Sequence, residues 1–346
     1  MNIQDLIRPT VKALKPYSSA RDEYQGNSDA MVFLDANENP FENGVNRYPD
    51  PQQRTVKSLL SNIKGIPQQN MLLGNGSDEV LDLIYRAFCE PNQDNIITLP
   101  PTYGMYSVLA NINAIKIKSV QLDKNFQPKV DEILDIADSN SKLLFLCSPN
   151  NPTGNSFEAK SIEKLINNFK GIVVIDEAYI DFSNEESWAS KLNLFPNLIV
   201  TQTLSKAYGM AGIRLGICFA SEAIISVLNR IKPPYNVNEL TQQKAISQLE
   251  QQYEITKQQV TDILKERDAL VTKLKSVDFI SKIYPSDANF VLAKVDDATK
   301  RYNQLIEKGI VIRNRTTQPG CENCLRFTVG TSKENDVLIK SLKELE

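Results

Sequence analysis

The sequence of 346 residues contains no histidine. That absence removes Ser–His–Asp and Cys–His hydrolases and any histidine-ligated metal centre. A general base working near neutral pH must then be a lysine, a carboxylate, a tyrosine or a thiol. Cysteine is sparse: five residues, an odd number without the spacing of a disulfide framework. Cys147 and Cys218 sit in apolar runs and read as core residues. Cys321 and Cys324 form a lone CxxC, with neither a second pair nor a histidine to complete a zinc site. It does not open a helix after a strand, as a redox motif would, and it reads as structural or incidental. Positive charge is not in excess: 39 Lys and Arg stand against 42 Asp and Glu, a net charge of −3, so nothing calls for nucleic acid. No apolar run is long enough to span a bilayer. The start, MNIQDLIRPTVKALKPY, carries charges through every apolar stretch and lacks the core of a signal peptide. The expectation is a soluble, cytoplasmic protein with no metal, no membrane and no nucleic-acid partner.

What is present fits a packed globular chain: 41% hydrophobic and 23% charged residues. The length suggests one large domain with a smaller one appended. A short strand at 70–73 precedes apolar runs at 95–99, 115–120, 142–147, 171–175, 197–201 and 215–220. Runs rich in Ile, Val and Leu, spaced by helical segments, predict a mostly parallel α/β sheet flanked by helices. Ligands of such sheets collect at the carboxyl ends of the strands. Residues 238–277 read as one long helix, with Ile263, Leu264, Leu270, Val271 and Leu274 at helical spacing. Beyond it, FISKIY, NFVLAKV, IVIR and LRFTV read as strands, with helices at 298–308 and 333–345. The predicted division is an N-terminal arm (1–45) completing the small domain, a large domain (46–275) and a small α+β domain (276–346).

The chemistry concentrates in TQTLSKAYGMAGIRLG, residues 201–216. Lys206 follows a strand-like run, with Ser205 beside it and Arg214 eight residues on. A lysine there can form an imine with an aldehyde cofactor, and an arginine can hold that cofactor's phosphate. The alternative is a surface lysine on a strand-to-helix loop. Other strand ends supply matching groups. In GNGSDE, Ser77 and Asp78 open a helix, either as an ordinary acidic first turn or as backbone N–H groups cradling a phosphate. PPTYGMYS offers Tyr103, able to stack on a planar ring. SPNNPTG aims Asn150 and Asn151 at the sheet edge, and DEAY brings Asp176 and Tyr179. A carboxylate at such a strand end needs a partner, and a protonated pyridine nitrogen would be one. Tyr48, in NRYPDPQQ, is either a contact residue or a packing tyrosine.

SPNNPTG, DEAY and TLSKAYGMAGIRLG, in this order and spacing, resemble the fold type I pyridoxal-phosphate aminotransferases over nearly the whole chain. The resemblance implies the PLP-dependent transferase fold, with a mostly parallel sheet in the large domain. It also implies pyridoxal 5'-phosphate as cofactor and a homodimer with shared active sites. LDANENPF, NRYPDP, GNGSDE, VIRNR and CLRFTVGT narrow it to a branch that pairs L-glutamate with a phosphate-bearing keto substrate. Related branches with the same cofactor residues act on aromatic amino acids or decarboxylate threonine phosphate. On this resemblance Lys206 would carry the cofactor and act as the base at Cα. Asp176 would pair with the pyridine nitrogen, and Tyr179 and Asn151 would hydrogen-bond the ring hydroxyl. Tyr103 would stack on the ring, while Ser77, Asp78, Thr203, Ser205 and Arg214 would hold the phosphate. Tyr48 would reach the phosphate of the neighbouring subunit's cofactor. Arg326 would bind the substrate's anionic group, with Arg313 and Tyr17 near its distal end. A cofactor-binding regulatory module fused to a DNA-binding domain is the rival of another class. The first 30 or so residues are too short for a helix-turn-helix.

Overall fold

The computed structural model describes residues 2–15 and 32–346. Each apolar run predicted between 70 and 220 forms a strand: β1 (Met71–Asn75), β2 (Asn95–Thr98), β3 (Lys116–Ser119), β4 (Ser141–Cys147), β5 (Ile172–Asp176), β6 (Leu198–Thr203) and β7 (Leu215–Ala220). They make one seven-stranded sheet, in the order β1-β7-β6-β5-β4-β2-β3. The pairs from β3 to β6 are parallel, and β7 lies antiparallel between β6 and β1. The central strands carry continuous apolar runs, Leu143–Cys147, Ile172–Ile175 and Leu198–Val200, because both faces are buried. Leu144, Leu146, Val173, Ile175 and Val200 point into one core; Leu143, Phe145, Ile172, Val174 and Ile199 point into the other.

Among the described residues the α-helices are α1 (Pro9–Ala13), α2 (Arg54–Lys64), α3 (Ser77–Phe88), α4 (Met105–Ile112), α5 (Val130–Ile136), α6 (Ala159–Asn168), α7 (Glu222–Ile231), α8 (Glu239–Gln251), α9 (Tyr253–Leu274), α10 (Ala298–Glu307) and α11 (Ser332–Lys343). Apolar residues of α3, α4 and α7 fill the second of those cores, and residues of α2, α5, α6 and α8 fill the first. A smaller antiparallel sheet follows, ordered β10-β11-β9-β8 and made of β8 (Ile280–Ile283), β9 (Phe290–Val295), β10 (Arg313–Asn314) and β11 (Cys324–Thr328). Its two faces have different duties. Val291, Ala293, Leu325 and Phe327 pack with Leu270, Leu305 and Leu338 of α9, α10 and α11. Phe290, Leu292 and Cys324 turn the other way and join the core of the large sheet. Among the described residues no helix is long and apolar enough to cross a membrane.

Three features differ from the sequence expectation. The segment 238–277 is two helices, α8 and α9, parted at Gln252 without a proline or glycine. α8 packs on α2, whereas α9 packs on β8, β9 and α11, so the two halves serve different layers. The described N-terminal residues do not join the small sheet. Ile3, Ile7 and Val11, spaced four apart, bury one stripe in the core shared by α3 and α7. Arg8 secures it, donating its N–H to the Ala87 carbonyl (3.0 Å) and its guanidinium to Glu90 (3.1 Å). The predicted IVIR strand shrinks to Arg313–Asn314: these two residues pair with β11, while Ile310 and Ile312 pack into the small-domain core outside the ladder and Val311 is exposed.

Candidate active site

The carboxyl ends of β4, β5 and β6, the start of α3 and the inner face of the small sheet enclose a cavity of about 550 Å³. Except for Tyr17, Tyr48 and Asn150, every candidate site residue named from the sequence lines it. Tyr48 is half-exposed and stacks on Tyr235 (4.4 Å between centroids) beside a separate cleft. Tyr17 lies outside the described residues.

Asp176 is the last residue of β5, in register with Cys147 on β4 and Thr201 on β6. Its carboxylate is buried and receives two hydrogen bonds, from the Tyr106 hydroxyl to Oδ2 (2.8 Å) and from the Ala178 N–H to Oδ1 (3.2 Å). Burial pushes its pKa up, and these donors pull the other way. Such a carboxylate is costly unless a cation or a further N–H meets it. The neighbouring Glu177 turns away from the cavity. It accepts from Ser187 Oγ (2.5 Å), the Trp188 N–H (2.7 Å) and Gln202 Nε2 (2.8 Å), and burial raises its pKa to about 7.

Lys206 stands on the turn after β6, a turn closed by Met210 N–H to Leu204 O (3.0 Å) and Gly209 N–H to Lys206 O (3.1 Å). Its side chain opens to the cavity, with Nζ 5.8 Å from the centre of the Tyr179 ring. The surrounding protein lowers its pKa, chiefly by desolvation, then by the positive charge of Arg326, against the pull of Asp176. The amine therefore loses its proton at lower pH than a free lysine would. Tyr179 is buried and meets Phe290 of the small sheet edge-on (5.2 Å, 85°).

At the other end of the cavity α3 begins without a side-chain cap, so its first-turn N–H groups keep no side-chain acceptor. Gly76 precedes it at φ +80, and a Cβ there would stand 2.7 Å from Arg214 Nη2. Glycine is what lets the guanidinium lie against the helix start. Gly216 serves the same approach from β7, where a Cβ would collide with the Gly76–Ser77 backbone. Arg214 lies 3.6 Å from Asp78, and the Tyr103 hydroxyl donates to Asp78 (3.0 Å). Thr203 and Ser205 line the same end, the Ser205 N–H donating to Thr203 Oγ1 (3.1 Å). A helix N-terminus with an adjoining guanidinium is an anion site.

The small sheet brings cations. Arg313 on β10 lies opposite Arg326 on β11, and Arg315, two residues on, lines the cavity with them. Arg326 donates to the Asn151 side-chain oxygen and stacks over Phe290 (4.9 Å). Asn150, by contrast, turns inward and ties the loop down, donating to Pro101 O (2.9 Å) and Thr153 Oγ1 (2.7 Å). The Nε atoms of Arg315 and Arg326 are buried without a hydrogen-bond partner, and neither side chain pairs with a carboxylate among the described residues. Burial, then the charge of Arg315, lowers the Arg326 pKa to about 10. Orphaned guanidinium N–H groups on a cavity call for an incoming anion.

Sequence reading missed Arg315, Gln318 and Tyr106. The signal for Arg315 was present: in VIRNR it follows Arg313 by two, the strand period that puts both on one face. Tyr106 had none, because its partner Asp176 is 70 residues away.

Residues 25–342 match the family model described as aminotransferase class I and II. The chain belongs to this family. Class I and II aminotransferases use pyridoxal phosphate. A histidinol-phosphate aminotransferase of Flavobacterium johnsoniae is 66% identical over 345 residues, covering 99% of either chain. Among solved structures, the histidinol-phosphate aminotransferase of Clostridium acetobutylicum superposes with a TM-score of 0.79 at 24% identity, covering 87% of this chain and 91% of that one. That of Sinorhizobium meliloti, in complex with pyridoxal-5'-phosphate, gives 0.78 at 22% identity, covering 86% and 82%. The cavity of this aminotransferase fits that cofactor. It offers an amine with lowered pKa, a buried carboxylate short of a cationic partner, and an uncapped helix start under a guanidinium.

Proposed function

We propose that this enzyme exchanges an amino group between L-glutamate and imidazole acetol phosphate, giving 2-oxoglutarate and L-histidinol phosphate in histidine biosynthesis. The full-length 66% identity to a histidinol-phosphate aminotransferase carries this reading. Arg315 and Arg326, whose Nε atoms have no partner among the described residues, support it, since both substrates bring an anion and arginine grips carboxylate and phosphate alike.

Pyridoxal phosphate, when bound, supplies an electron sink for the charge left at the substrate's Cα. The residues do the rest. Lys206 would hold the cofactor and, as a free amine, would take the proton from Cα. Asp176 would pair with the ring nitrogen and keep it protonated. Tyr179 and Asn151 would hold the ring hydroxyl, and Tyr103 would pack against the ring. The start of α3 at Ser77 and Asp78, with Thr203, Ser205 and Arg214, would hold the phosphate. Arg326 grips the substrate anion, with Arg313 beside it.

We read residues 46–275 as the large domain, residues 276–346 as the small one, and the enzyme as a cytoplasmic homodimer in which Tyr48 reaches the partner's cofactor. Tyr48 lies outside the cavity of its own chain, and Val32, Leu34 and Phe41 nearby are at least 80% exposed, an unusual exposure for large apolar side chains.

The test is the visible spectrum of the purified protein during addition of L-histidinol phosphate. Conversion of the bound cofactor to its amine form is the expected result. A spectrum that ignores L-histidinol phosphate but responds to an aromatic amino acid would move the substrate assignment. Release of carbon dioxide from threonine phosphate would replace transamination by decarboxylation.

A further inference from the structure

We propose that Tyr106 is a positioning residue for the cofactor, its hydroxyl holding Asp176 as an ionised carboxylate toward the ring nitrogen of pyridoxal phosphate. This rests on the role given above to Asp176. The phenol oxygen stands 2.8 Å from Asp176 Oδ2, and both residues are buried. The ring cannot move to relax that bond. It stacks on Phe145 (4.8 Å, 19°) and meets Tyr103 edge-on (5.6 Å, 86°). The backbone is pinned as well, because the buried Tyr85 hydroxyl donates to the Tyr106 carbonyl (2.7 Å) and Tyr85 itself stacks on Phe145 (5.2 Å, 18°).

The direction of donation follows from burial. Desolvation raises the Tyr106 pKa well above that of a free tyrosine, so the phenol stays protonated and donates. A bond to a charged acceptor is roughly twice as strong as one to a neutral acceptor. The phenol thus opposes the desolvation that would protonate Asp176. With Oδ2 held by Tyr106, which lies behind the cavity wall, and Oδ1 by the Ala178 N–H, the carboxylate plane is set by the protein itself. A carboxylate fixed in this way accepts a ring N–H, and a protonated ring nitrogen is what makes the cofactor an effective electron sink.

The experiment uses the full chain, stripped of cofactor and titrated with pyridoxal phosphate, with binding read by protein fluorescence. The protonation of the ring nitrogen is read by NMR of ¹⁵N-labelled cofactor. Tyr106→Phe should weaken binding by about 10-fold and move the nitrogen signal toward the unprotonated form. In an Asp176→Asn background the same change should do nothing more, since the carboxylate it serves is gone. Wild-type binding and an unmoved nitrogen in Y106F would overturn the proposal, as would an equal loss in both backgrounds, the mark of a packing role. If D176N itself left binding and nitrogen protonation intact, the reading of Asp176 would fall, and this one with it. Fluorotyrosine at position 106 keeps the shape and strengthens the donor. It should move the nitrogen further toward protonation, and no movement would count against the proposal even if Y106F failed to fold.

Discussion

On the wall of the cavity built by the large sheet, charged and polar groups meet partners from the same wall. Asp176 receives Tyr106, Asp78 receives Tyr103, and Arg214 lies against Asp78 and the start of α3. On the wall built by the small sheet, among the described residues, Arg326 donates a hydrogen bond to the side-chain oxygen of Asn151, and the buried Nε atoms of Arg315 and Arg326 have no partner. The first wall holds its groups in place before anything binds, leaving Asp176 short of a cation and the start of α3 uncapped, which suits a cofactor that stays. The second is left short of negative charge, which suits anions that arrive and leave. An uncompensated guanidinium costs stability, and the arriving anion restores it.

The comparison can be broken most severely at Lys206. Lys206→Ala should cut multiple-turnover transamination by on the order of 10⁴-fold or more. The far-ultraviolet circular dichroism should remain that of the folded chain. Near-normal turnover would remove the amine from the chemistry altogether.

Arg326→Gln tests the second wall. The loss of charge-assisted hydrogen bonds should lower kcat/KM by about 100-fold for both the amino donor and the phosphate ester. Thermal stability should hold or rise, because a buried cation without a carboxylate leaves the structure. A marked fall in Tm would mean that Arg326 is structural and that the two walls do not differ.

Arg315→Gln sharpens the contrast within the second wall. A phosphate dianion gains more from an extra guanidinium than a carboxylate does. The expected loss in kcat/KM is about 10-fold for the phosphate ester and less than about 3-fold for L-glutamate. Equal losses would assign Arg315 to a subsite common to both substrates.

The smallest effect is in the pH dependence of stability. Glu177 has its pKa raised from 4.5 to about 7, so the folded chain holds that proton more tightly than the unfolded one. Its contribution is complete below pH 4.5 and is lost as pH rises through about 7. Glu177→Gln should flatten the Tm profile across that window. Asp176 is raised in the same direction, so part of the slope should survive. An unchanged profile would show that Glu177 is ionised throughout.

Much of this was legible along the chain. Strands buried on both faces need continuous apolar runs, so β4 to β7 announced themselves, and the polar residues just beyond them were the natural lining of a site. Lys206, Asp176, Asn151 and Arg214 could be named for that reason, by local pattern and by resemblance. Tertiary structure decided what distance along the chain conceals. Asn151 and Arg326 meet across 175 residues, and Asp176 and Tyr106 across 70. The break at Gln252 separates α8, packed on α2, from α9, packed on β8, β9 and α11, and the seating of Ile3, Ile7 and Val11 follows from the core they share with α3 and α7. Local composition determines which face of an element is apolar. Which element that face meets, and whether a buried charge finds a partner there, depends on contacts that form only when the two sheets close on each other.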